Sequence, residues 1–244
     1  MKRVLAYAHF EATTAMRNGE QLLVAIILPA LVLLGLGLSD VVDLSLQADQ
    51  TRLDIVVPGV LGLAVLSSAF TSQAISTAFD RRWGVLRLLA TTPLGTRGIV
   101  AGKVMAIFAV QVVQVLVLGA LGLMLGWRPD LGGLVWAVAA GILGSIAFTS
   151  LGLLIAGTLR AEAVLAVANL LWVLILIGGG LVLPASTFSP ALAAATSWLP
   201  SGALGEALRT ATTTGGLDVL ALLVLAAWAA VLALAASRWF RPTA

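Results

Sequence analysis

Six stretches of 18 to 25 residues, at 21–38, 55–78, 104–127, 134–158, 164–183 and 219–236, contain no Asp, Glu, Lys or Arg. The hydrocarbon core of a bilayer is ~30 Å thick and a helix rises ~1.5 Å per residue, so about 20 apolar residues cross it. Barrel strands would alternate apolar and polar residues over ~10 positions. These runs are unbroken, so they predict helices. With 60% hydrophobic and 10% charged residues, the chain has too little charge to coat a water-facing surface. It has no cysteine for a disulfide scaffold, and its net charge of +3 is too small an excess to imply a nucleic-acid partner. The expected fold is all-α: a polytopic membrane protein with six transmembrane helices, in one domain over residues 1–244.

The few charges are polarised. The tail before the first span, the second and fourth connections and the C-terminal tail together hold 11 of the 14 basic residues. The positive-inside rule puts these segments, and both termini, in the cytoplasm. That side has a balance of +7 and the other −4, with Asp40, Asp43, Asp49 and Asp54 in the first outer connection. Residues 1–20 do not read as a cleaved signal peptide, because His9 and Glu11 interrupt the apolar run. Val4, Leu5, Ala8, Ala12, Ala15 and Met16 share one helical side, opposite Lys2, Arg3, His9, Thr13 and Arg17. That pattern suits either a short amphipathic helix in the membrane interface or a solvated tail.

Catalytic groups are scarce. No ionisable residue lies well within a span, where it would suggest a proton relay or ion site. His9 is the one histidine, and no His/Cys/Asp/Glu cluster has metal-ligand spacing, so neither a metal nor a cofactor is expected. The run Gly98-Ile99-Val100-Ala101-Gly102-Lys103-Val104 falls short of a phosphate-binding loop, which needs four residues between its glycines and Ser or Thr after the lysine. Polar residues inside spans fall in groups on single helical faces: Ser68, Ser72 and Ser76; Gln111 and Gln114; Ser145 and Thr149; and Asn169. They serve either as interhelical hydrogen bonds or as the lining of a substrate path. Ser68, Ser72, Gln111, Gln114, Asn169 and Trp172 are the path candidates. Gly122 and Gly126 read as a pair of small residues permitting close helix packing.

The second connection is the most informative. Asp80 is suited to cap a helix and Pro93 to stop one, leaving a helix of about three turns with Val85, Leu88, Leu89 and Thr92 on an apolar side. Such a helix rests on the membrane surface or docks in a partner's groove. Asp80, Arg81, Gly84, Leu86, Leu89, Thr92 and Pro93, followed by Gly102 and Lys103 opening the next span, resemble the signature of type-2 ABC transporter permeases. In that family the segment reads approximately Glu-Arg-Glu-x-Gly-Thr-Leu-Glu-x-Leu-x-x-Thr-Pro. This chain departs from it with Asp80 for a glutamate, Trp83, and Arg87 for an acidic residue.

The resemblance implies that residues 79–103 form a cytoplasmic coupling segment between spans two and three. Asp80, Arg81, Arg82, Trp83, Gly84, Leu86, Arg87, Leu89, Thr92 and Pro93 would then meet an ATPase. It also implies an amphipathic N-terminal interface helix over 1–20 and an outer re-entrant hairpin over 184–217, between spans five and six. There Ser189-Pro190 and Ser201 read as helix starts, Pro200 as a break, and Glu206 and Arg209 as an i, i+3 pair. The implied protein is the permease subunit of a bacterial ABC exporter of the drug-resistance type, in the cytoplasmic membrane. Its partners would be two copies of an ATP-binding subunit, which hold the ATP and Mg, and a second permease subunit, identical or homologous. The chain itself would not be an enzyme, and its substrate would be amphipathic or lipid-like. An exporter of a lipid or polysaccharide precursor, and a non-transporting scaffold for an ATPase, are the competing readings.

Overall fold

The computed structural model describes residues 2–19, 23–39, 42, 44, 46, 50–92 and 94–239, and every regular element among them is helical. In chain order these are α1 (Lys2–Arg17), α2 (Leu28–Leu38, preceded by a π-helical turn at Leu23–Ile27), α3 (Arg52–Arg82) and α4 (Val85–Ala90). They continue with α5 (Gly95–Met124), α6 (Leu134–Thr158), α7 (Ala161–Gly178), α8 (Pro190–Ser197), α9 (Pro200–Thr214) and α10 (Val219–Trp239). Among the described residues, five helices (α3, α5, α6, α7 and α10) are long and apolar enough to cross a membrane. The expected first span appears as a shorter apolar helix, Ala25–Leu38, and residues 20–22 before it lie outside the described residues.

The axis of the bundle is α3, which packs against α2, α5, α6, α7 and α9. Its sequence explains this. Val56, Val57, Val60, Leu63, Leu66, Ala69 and Phe70 point in all directions around the helix and all are buried, the pattern of a helix without a solvent face. The Asp54 carboxylate accepts hydrogen bonds from the Thr51 backbone N–H at 2.9 Å and its hydroxyl at 2.7 Å, fixing the start of α3. Arg52 donates to the carbonyls of Leu36 at 2.7 Å and Val42 at 2.5 Å, which satisfies the end of α2. Midway, at Ser67–Ser72, α3 widens into a π-helical turn. It ends beyond Arg82, where Gly84 takes a left-handed conformation with φ +75°.

Of the expected glycine pair, one member needs correction. Gly122 does permit close packing, since a Cβ there would lie 3.0 Å from Val57. Gly126 instead lies past the end of α5, with φ +103°, and nothing approaches it. At the opposite chain segment, α7 ends at Gly178, short of position 183, because Gly178, Gly179 and Gly180 unwind it. Residues 179–183 then thread between α3 and α9. A Cβ on Gly59 would lie 2.8 Å from Leu181 O, and one on Gly205 would lie 2.7 Å from the same oxygen. Buried Arg209 donates to Leu181 O at 2.9 Å, Gly180 O at 3.0 Å and the Glu206 carboxylate at 3.0 Å. Ser201 is inside α9 and donates to Gly179 O at 2.8 Å, so it is no cap. Pro200 opens that helix because its fixed φ suits the first helical position.

Candidate functional site

Where α3 stops, three helices converge on one cation. α1 lies along the first half of α5, and the glycines of the Gly98–Lys103 run make this possible. A Cβ on Gly102 would lie 2.5 Å from the Tyr7 ring, so the run that superficially resembles a phosphate loop is a packing groove. Beside it, Lys103 is only 3% exposed. Its ammonium donates to Asp80 Oδ2 at 2.8 Å and Glu11 Oε1 at 3.0 Å. The Tyr7 hydroxyl also donates to Glu11. Burial, reinforced by the Glu11 contact, raises the Tyr7 phenol above its usual pKa and keeps it a donor. A buried ammonium is tolerable only with such partners, and two carboxylates here face one lysine.

This node changes the reading of Asp80, which lies within α3 and caps nothing. The helix of the second span continues through it, and the left-handed Gly84 then reverses the chain, so α4 is six residues long and not three turns. The expected apolar side of α4 divides. Leu86, 2% exposed, packs inward on Tyr7 and Ile99, with Leu89 beside it. Val85, Arg87 and Leu88 face outward with Trp83, and both Leu88 and Trp83 are 69% exposed. Thr92 is exposed and donates to Leu89 O at 2.6 Å. Pro93 lies outside the described residues. Arg81 donates to the carbonyls of Gly157, at 2.6 Å, and Leu159, and Arg82 pairs with Glu162. Together they fasten the end of α3 to the α6–α7 connection.

The six path candidates separate into two groups. Gln111 donates to Ser68 at 3.3 Å and accepts from Ser145 at 2.8 Å. Trp172 donates to Ser67 at 2.8 Å, and Gln114 donates to the Ala25 carbonyl at 2.7 Å. Ser68, Gln111, Gln114 and Trp172 are therefore buried and tied between helices within one chain. Ser72 is partly accessible, and Asn169 is exposed on α7. The residues that sequence reading passed over are Tyr7, Glu11 and Ser67. A signal existed for Glu11. A lysine directly abutting an apolar span either reaches the interface or takes a counter-charge, and the side assigned to the cytoplasm has only Glu11, Glu20, Asp80 and Glu162 to offer.

No curated protein matches this chain. The model of a family described as ABC-2 type transporter matches residues 3–212, a stretch that includes the Lys103 node, α4 and most of α9. By that match the chain belongs to the ABC-2 type transporter family, whose members are membrane transport components.

Proposed function

We propose that this chain is the membrane-spanning permease subunit of a bacterial ATP-driven exporter, which moves an amphipathic drug-like or lipid-like substrate out of the cytoplasm by alternating access. Two ATP-binding subunits hold the ATP and Mg and press on α4, and a second permease subunit, identical or homologous, completes the path. Both termini face the cytoplasm, the helix at Ala25–Leu38 is the first of six spans, and residues 184–217 form a re-entrant hairpin on the outer side. The charge polarity, family membership and absence of charge within the six apolar runs support this reading.

One observation carries it. The α4 helix is braced from within by Leu86 and offers Trp83, Val85, Arg87 and Leu88 outward. A short helix with an apolar and basic outer face, rigidly backed, suits docking in a groove of a soluble partner. Force on α4 passes through the Gly84 turn into α3, and the Asp80–Lys103–Glu11 contacts make α1 and α5 follow. The buried amides and hydroxyls hold helix faces together, and Ser72 and Asn169 are the path candidates with accessible side chains.

The test is reconstitution of the chain with its ATP-binding subunit in liposomes, followed by ATP-dependent movement of a fluorescent amphiphile or lipid analogue. ATP-dependent movement, slowed by Asn169→Trp, supports the exporter. A complex that hydrolyses ATP at one rate with every compound, and moves none, is a scaffold.

A further inference from the structure

We propose that the cleft between the end of α3 and the α6–α7 connection binds the phosphate of an anionic phospholipid headgroup. The cleft has a volume of about 360 Å³ and is lined by Ala78, Arg81, Arg82, Arg160, Ala161 and Glu162. Three guanidinium groups face one carboxylate. Arg81 is held by the Gly157 and Leu159 carbonyls, which orient its fork without neutralising it. Arg82 is paired with Glu162, but both side chains are more than half exposed, so the pair is weak and open to exchange. Arg160 is exposed and, among the described residues, has no side-chain hydrogen bond or ion pair. The two alanines leave room between the arginines. Planar guanidinium forks match the oxygens of a phosphate, which can take up the positive charge that Glu162 leaves uncompensated.

The position favours a lipid over a soluble anion. The cleft is lined by the last turn of α3 and the first turn of α7, at the ends of two helices long enough to cross the membrane, which is where headgroups lie. Leu165 follows Glu162 on the same face of α7, and exposed Leu159 precedes it in the α6–α7 connection, so a bound headgroup has apolar surface for its chains. Basic pockets between membrane helices on the cytoplasmic side are suited to anionic lipid headgroups. The orientation rests on the function proposed above, whereas the binding chemistry does not.

Native mass spectrometry of the full chain with its ATP-binding subunit, in neutral detergent, tests this. Phosphatidylglycerol, phosphatidylcholine and inorganic phosphate are each added to wild type, to Arg160→Gln, to Arg82→Gln/Arg160→Gln, and to the control Arg128→Gln. Wild type and the control should retain phosphatidylglycerol about tenfold over phosphatidylcholine. That preference should fall about threefold in Arg160→Gln and vanish in the double variant, with the thermal midpoint unchanged. Equal retention of the two lipids, or full retention by the double variant, overturns the proposal. Inorganic phosphate binding as tightly as the lipid overturns it in favour of a soluble anion. Loss of the ATP-binding subunit with lipid retention intact makes the cleft a protein contact instead. Lipid retention without transport of any compound leaves the site assigned and removes only the exporter reading.

Discussion

The Lys103 ammonium lies 2.8 Å from Asp80 Oδ2, joining the early part of one membrane helix to the last turns of the preceding one. Its second contact, to Glu11 at 3.0 Å, draws in the N-terminal helix, so a single buried cation fastens α1, α3 and α5. The coupling attributed to α4 depends on these helices moving together.

Removing that cation alone should be more damaging than neutralising the whole node. Lys103→Met leaves Glu11 and Asp80 facing each other in a partly buried site, and should lower stability by about 3 kcal/mol. Adding Glu11→Gln and Asp80→Asn removes the stranded charges and should recover most of the loss. Thermal unfolding of the detergent-solubilised chain reads both effects. A triple variant no more stable than the single one would show that the attraction itself, and not the stranded charge, holds the helices.

Tyr7 offers a direct optical probe, because it is the only tyrosine of the chain. Its folded pKa is raised by burial and by Glu11, so the neutral phenol is the favoured form. A raised pKa contributes stability that is fully present below the unfolded value of ~10 and is lost as pH rises toward the folded one. Tyrosinate absorbance should therefore appear only above pH ~10, together with the loss of tertiary structure. Tyr7→Phe should flatten the fall in stability over the same range. Early ionisation near the ordinary value would mean that Tyr7 is not buried against Gly102.

Much of the helical framework was legible. The fourth span coincides with α6 at both ends, since Gly133 and Leu159 bracket an unbroken apolar run. The second span extends past its apolar stretch to Arg52 and Arg82, because charged residues that find carbonyl or carboxylate partners continue a helix as readily as apolar ones. The orientation of α4 was not legible. Helical periodicity groups Val85 with Leu88 and Leu89, but only the left-handed turn at Gly84 determines which of them meets Tyr7. The contact between Glu11 and Lys103, 92 positions apart, leaves no local pattern at all.

The segment 179–183 should make its neighbours intolerant of the smallest additions. A Cβ on Gly59 or Gly205 would meet backbone atoms of Leu181 at 2.8 Å or 2.7 Å, and backbone cannot step aside as a side chain can. Each glycine-to-alanine change should cost about 2 kcal/mol by overpacking. Gly141→Ala, within α6 with nothing inside 4 Å, should instead gain about 0.5 kcal/mol through helix propensity. The thermal midpoints of the three variants check this. Similar midpoints would mean that residues 179–183 are not clamped between α3 and α9.

The two faces of α4 predict opposite phenotypes for neighbouring leucines. Leu86 is buried against Tyr7 and Ile99, so Leu86→Ala opens a cavity and should destabilise the chain by about 2–3 kcal/mol. Leu88 touches no core cluster and is 69% exposed, so Leu88→Asp should leave the thermal midpoint within about 0.5 kcal/mol of wild type. If α4 docks in a groove of the ATP-binding subunit, Leu88→Asp places a charge in that apolar contact and should abolish co-purification. Leu86→Ala should retain the subunit at temperatures where the chain stays folded. Leu89 is a poorer probe, because its partial packing beside Leu86 mixes the two effects. Co-purification and thermal midpoint measured on the same preparations separate docking from folding. A Leu88→Asp variant that keeps its partner, with full stimulation of ATP hydrolysis, would remove α4 from the interface.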